Sequence, residues 1–193
     1  MELLGDLVGE VESRMVLCRG HGVRNVWGLP EELRPVPVVV LFDEVAELFL
    51  MADKAEKDLV HRTSTALLRV AQLGRAFGVH LVVCGQRIGS DLGPGVTALR
   101  SQLSGRVCHR VNDPETANMA LGDIDPAATD VARQIAAETP GVCVVAGQDG
   151  AWQRARSVFV PESAAEHAAR EFAHLAPDWA ALVGSAPSVR PAA

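Results

Sequence analysis

Apolar residues recur near the start of the chain at Leu4, Leu7, Val8, Val11, Met15 and Cys18, one face of an amphipathic helix that stops near Gly20 or Gly22. After a polar loop containing proline, Val36 to Phe42 is apolar without alternation. That pattern predicts a strand covered on both faces in a parallel sheet, ending at Asp43-Glu44. A second helix is predicted over Glu56 to Phe77, with Val60, Leu67, Val70 and Ala71 on its buried side and Gly78 as its stop. A second strand follows at Val79 to Cys84 and runs into Gly85-Gln86-Arg87. Beyond a glycine-rich loop, a short helix is expected near Thr97 to Leu103 and a third strand in GRVCHRV.

Asn112-Asp113-Pro114-Glu115 supplies an N-cap and a proline in the first turn for a helix through Leu121. A fourth strand, Gly141 to Gly147, is joined by the Asp149-Gly150 turn to a further strand from Trp152 to Val160, which predicts a hairpin. The segment PESAAEHAAREFAHL reads as a peripheral helix, and SAPSVRPAA as a frayed tail. Strands alternating with helices predict an α/β fold, a mostly parallel sheet flanked by helices, with a C-terminal antiparallel pair and helix.

Composition narrows the classes without changing this picture. With 24 acidic and 18 basic side chains among 193 residues, the formal charge is −6, which argues against a generally basic nucleic-acid coat protein. No apolar run approaches the roughly 20 residues that span a bilayer. The acidic start MELLGDLVGEVE is unlike a signal peptide, so a cytoplasmic location is the expectation. Cys18, Cys84, Cys108 and Cys143 are widely spaced, which predicts reduced thiols in place of a disulfide framework. None of them forms a CxxC pair, and the histidines show no metal-binding spacing.

Candidate chemistry concentrates at strand tips, because ligands in an α/β sheet bind beyond the carboxyl ends of the strands. An apolar strand ending in Asp43-Glu44 has the Walker B pattern. There the aspartate holds the water shell of a Mg2+ ion on nucleotide phosphates, and the glutamate orients and deprotonates the attacking water. The same acids also suit a plain structural role, capping the helical turn VAELFLMA that follows.

The order of these segments resembles the motor domain of the FtsK/SpoIIIE family of double-stranded DNA translocases. The resemblance lies in EVESRMVLCRGHGVRNVWG before the Walker B strand, DEVAELFL after it, LLRVAQLGRAFGVHL, and CGQRIGSDLGPGVTALRSQLSGRVCHRV. It runs from about residue 3 to about residue 160, and its wording is similar to the actinobacterial branch with the TraB-like conjugative proteins. It implies a RecA-like motor over residues 1–160 and a peripheral helix and tail over 161–193. It further implies ATP and Mg2+ as cofactors, duplex DNA as partner, and a hexameric ring made of this chain or of intact motor subunits.

Carried over residue by residue, the resemblance makes Asp43 the Mg2+-associated aspartate, acting through water, and Glu44 the catalytic glutamate. Gln86 becomes the γ-phosphate sensor, Arg75 the arginine finger that enters the next subunit's site, and Arg106 an arginine near the nucleotide interface. The alternatives stay open: Arg75 as a solvated helix-end charge, and Arg106 as a surface ion-pair partner. Gly85 stands where the family has threonine before the glutamine, and Ile88 where it has proline after the arginine.

The phosphate-cradling GxxxxGK[ST] segment has no counterpart in this sequence, whose only lysines are Lys54 and Lys57. The expectation is therefore a sheet lacking its P-loop strand and helix, from a truncated, split or decayed gene, and inactive alone. The alternative reading is a non-catalytic subunit that docks on an intact motor ring.

Overall fold

The computed structural model describes residues 2–49, 57–86, 88–89, 92–93, 95–122, 124–147, 149–175 and 178–179. Two compact units form among them, one from residues up to 85 with 93–102 and 178–179, the other from 86–92 and 103–175.

The first unit begins with helix α1 (Glu2–Gly20), which buries Leu4, Leu7, Val11 and Cys18. Gly22 takes a left-handed φ of 68° just beyond it, and the Val23 amide turns back to the Cys18 carbonyl. Strand β1 (Val38–Phe42) and strand β2 (Val79–Val83) pair in parallel, Val38 beside Val79 and Phe42 beside Val83. Between them runs α2 (Lys57–Leu73), whose last turn tightens into a 3-10 turn, Gly74–Phe77. Helix α3 (Val96–Gln102) packs against α2 through Val96 and Leu99.

The inner face of this strand pair is buried at Val38 and Val79, but the outer one is largely open. Val39, Leu41 and Val82 share it and are 65%, 67% and 46% exposed. The expectation that Val36 to Phe42 is covered on both faces is thus overturned. An unbroken apolar run reports β propensity and what a strand suits, whereas covering a face takes a neighbouring layer, and here the Trp27 ring reaches His80, centroids 6.3 Å apart, but leaves Val39, Leu41 and Val82 open.

The second unit is an antiparallel sheet, β3 (Arg106–His109) beside β4 (Val142–Ala146) beside β5 (Trp152–Arg156). The expected hairpin of β4 and β5 closes through Asp149, which accepts the Ala151 amide, and Gly150 at a φ of 75°. The third strand does not extend the parallel pair; it joins the hairpin, Cys108 opposite Val144. Helices α4 (Pro114–Leu121) and α5 (Pro126–Arg133) cover one face, packing Leu121, Ala128 and Ala132 on Cys108, Val144 and Ala146. Each starts on an Asp-Pro step, Asp113 accepting the Thr116 amide and Asp125 the Ala127 amide. Helix α6 (Glu162–Glu171) buries no residue, in keeping with a peripheral helix.

Candidate functional site

The acidic pair is held at the carboxyl end of the parallel strands by continued backbone pairing. The Cys84 amide donates to the Phe42 carbonyl at 2.8 Å, and the Val45 amide donates to the Cys84 carbonyl at 2.9 Å. Val45 is fully buried, so Asp43 and Glu44 are clamped between an apolar anchor and the strand ladder. Asp43 is exposed beyond the strand tip, where a carboxylate can meet a hydrated cation. Glu44 is half-buried, and its Oε1 accepts the Ala46 amide at 3.2 Å, capping the 3-10 turn Val45–Leu48. The capping role is therefore real for Glu44. A single carboxylate accepts several hydrogen bonds, so a cap through one oxygen leaves acceptor capacity for a water.

Arg75 lies at the other end of the same strand pair. It is exposed within the turn Gly74–Phe77, immediately before β2 begins. Val38 to Phe42 spans about 13 Å at about 3.3 Å per residue, and that length of strand separates the arginine's end from the acidic end. The fold does not bring Arg75 to Glu44 of its own chain.

Gln86 is exposed two residues past Cys84 and is counted with the second unit; Arg87 lies outside the described residues, as do Lys54 and the residues around it. Arg106 opens β3 in the second unit and is half-buried. Its guanidinium donates to the carbonyls of Leu103 at 2.6 Å and Ala120 at 3.4 Å, which ties β3 to the end of α4. The second unit also has a cleft of about 310 Å³ beside Asp113, Asp130, Arg133 and Gln134, and none of the residues predicted for the site lines it.

Cys18, Cys108 and Cys143 are free and buried, and burial pushes the thiols of Cys18 and Cys108 up, Cys108 with a further push from Cys143. Neither Cys18 nor Cys108 is poised as a thiolate nucleophile. Among the described residues no group of three or more acidic, histidine or cysteine side chains is placed to hold a metal ion by itself. No described helix is long and apolar enough to cross a membrane.

One buried cluster has no counterpart in the sequence reading. Arg14 of α1 is 2% exposed, and its Nε donates to Glu10 Oε1 at 2.7 Å. Its Nη1 donates to the Phe77 carbonyl at 2.9 Å and the Gly78 carbonyl at 3.4 Å, and its Nη2 to the Val36 carbonyl at 2.9 Å. The available signal was positional. Glu10 and Arg14, one helical turn apart, sit on the stripe that also holds Leu7, Val11 and Cys18, so a charged pair occupies the buried side of α1.

Comparison with known proteins agrees with the sequence resemblance. Residues 26–90 match the FtsK/SpoIIIE family. A sporulation regulatory protein of Streptomyces azureus is 52% identical over 176 residues, 91% of this chain and 58% of its own length. The transfer protein TraSA of Streptomyces ambofaciens is 46% identical over 202 residues, 99% of this chain and 49% of its own length. This chain thus spans only about half the length of these relatives. The conjugation coupling protein TcpA of pCW3, solved with ATPγS, superposes with a TM-score of 0.70 over 84% of this chain and 44% of its own, at 22% identity, so the α/β fold is RecA-like. By its matched segment and its Streptomyces relatives, the chain belongs to the FtsK/SpoIIIE family.

Proposed function

We propose that this chain forms part of an ATP-driven translocase that moves double-stranded DNA in chromosome segregation or conjugative plasmid transfer. One observation carries the reading: the acidic pair and Arg75 occupy opposite ends of one parallel strand pair, so each chain offers a base at one end and a cation at the other. In this reading Glu44 orients and deprotonates the attacking water while its cap to Ala46 fixes the side chain. Asp43 holds the water shell of Mg2+, and Gln86 senses the γ-phosphate from beyond β2. Arg75 enters the neighbouring subunit's site, and Arg106 is the arginine near the nucleotide interface. The bound Mg2+–ATP supplies the phosphoryl group and the charge that these side chains answer. The phosphate-binding loop comes from a segment or subunit outside this sequence, which contains no GxxxxGK[ST].

A second reading, a non-catalytic subunit docked on an intact motor ring, draws support from the open face at Val39, Leu41 and Val82. One measurement separates the two: ATP turnover by the full-length protein, with whatever segment or subunit supplies the phosphate loop, with and without duplex DNA. DNA-stimulated turnover that Glu44→Gln abolishes supports the motor. Turnover indifferent to Glu44 in such an assembly favours the docking subunit.

A further inference from the structure

The turn that carries Arg75 is fixed from three directions. On entry, Gly74 is pressed so closely to β2 that a Cβ there would stand 2.4 Å from the Val79 carbonyl oxygen. On exit, Gly78 takes a left-handed φ of 71°, and a Cβ there would meet Arg14 Nη1 at 3.2 Å. Between them, the Arg14 guanidinium gathers the carbonyls of Phe77 and Gly78 and, through its other nitrogen, that of Val36 just before β1. The planar fork reaches the entries of both strands at once, which a lysine ammonium cannot do.

This clamp is costly. Glu10 neutralises Arg14 within α1, yet its second carboxylate oxygen is buried without a hydrogen-bond partner. Buried ion pairs commonly return no more stability than apolar side chains of the same volume, so a pair kept here calls for a positional reason. What it positions is an exposed arginine with no hydrogen bond or ion pair of its own among the described residues.

We propose that Arg14, neutralised by Glu10, is a positioning residue for Arg75, setting the turn from which that side chain reaches a neighbouring subunit. The inference rests on the finger reading of Arg75. Its test reads ATP turnover of Arg14→Lys, Arg75→Ala and the double variant in the full-length protein with its phosphate loop supplied, each variant first verified as folded by circular dichroism. Arg14→Lys lowers kcat about 10²-fold, the scale on which a misplacement of about 1 Å acts, with little change in KM for ATP. Adding Arg14→Lys to Arg75→Ala then costs nothing further. Losses that multiply, or a wild-type rate for Arg14→Lys beside a dead Arg75→Ala, overturn the positioning role alone. Full turnover by Arg75→Ala overturns the finger reading and this proposal with it. If Arg14→Lys does not fold, Glu10→Gln, which keeps the acceptor oxygen and removes the counter-charge, takes its place in the same comparison.

Discussion

The Trp152 indole donates from Nε1 to Asp125 Oδ2 across 2.9 Å, joining β5 to the residue that caps α5. That hydrogen bond, followed by the one from the Ala127 amide, holds the Asp125 carboxyl below the usual aspartate range. A carboxylate depressed on folding contributes stability above its unfolded pKa, and the contribution is lost as the pH falls through the folded value. The gap in melting temperature between wild type and Asp125→Asn is accordingly widest at neutral pH and closes in acid. Thermal melts followed by tryptophan emission check this, and a gap that widens on acidification contradicts it.

Gly74 has no room for a side chain, since the nearest atom to a built Cβ is a backbone oxygen that cannot swing aside. Gly74→Ala is expected to destabilise the first unit by about 1–3 kcal/mol through overpacking. Chemical denaturation measures it. An unchanged midpoint would mean that the turn and β2 part without cost.

Glu44→Gln separates capping from catalysis. Glutamine keeps an oxygen to accept the Ala46 amide, so the melting temperature stays put, while turnover in the loop-supplied assembly falls roughly 10²- to 10⁴-fold with the loss of a positioned base. Steady-state ATPase rates beside a melting curve decide it. Equal rates would leave Glu44 as a helix cap alone.

For Arg75 the prediction is action in trans. Arginine fingers are worth about 10³ to 10⁵ in rate, so Arg75→Ala subunits and Glu44→Gln subunits are each inactive alone. Mixed, they restore part of the activity, because a site with an intact Glu44 can receive an intact Arg75 from its neighbour. A mixture as dead as either variant shows that Arg75 serves no neighbouring site.

Residues 1–193 by themselves are expected not to hydrolyse ATP, with or without duplex DNA, and to self-associate through the face at Val39, Leu41 and Val82. Sedimentation velocity reads the second part. Val39→Lys with Leu41→Lys, both at exposed positions, shifts the distribution toward monomer. A wild-type chain that sediments as a stable monomer contradicts the prediction.

The sequence made legible whatever is local. The Asp113-Pro114 step marked α4, and the same signature at Asp125-Pro126 marks α5. The segment is amphipathic as well, with Ala128 and Ala132 one turn apart on its buried side, so α5 was legible on two signals and is absent from the sequence-based expectation. Asp43 and Glu44 stand at a strand tip by pattern alone, and the cap that Glu44 makes to Ala46 is one of the two roles that pattern allows. Non-local partners were not legible. Nothing within GRVCHRV states that its strand pairs antiparallel with a segment about thirty residues later, or that Val39 and Leu41 lack a covering layer. Arg14 stayed hidden because its carbonyl partners at Phe77 and Gly78 are backbone atoms, to which side-chain patterns are blind.

The polarity of the parallel strand pair limits how copies of this chain can share chemistry. A two-fold axis makes every junction reciprocal, so it sets like end on like end or, with the strand pairs side by side in opposite directions, the acid end of each copy beside the arginine end of the other. A repeated rotation that sets the arginine end of each copy on the acid end of the next also uses both, and every junction so made faces the same way round the axis. If Arg75 acts on a neighbour's site, a reciprocal pair and a handed circuit are thus the two arrangements in which strands starting side by side at Val38 and Val79 bring both ends into use.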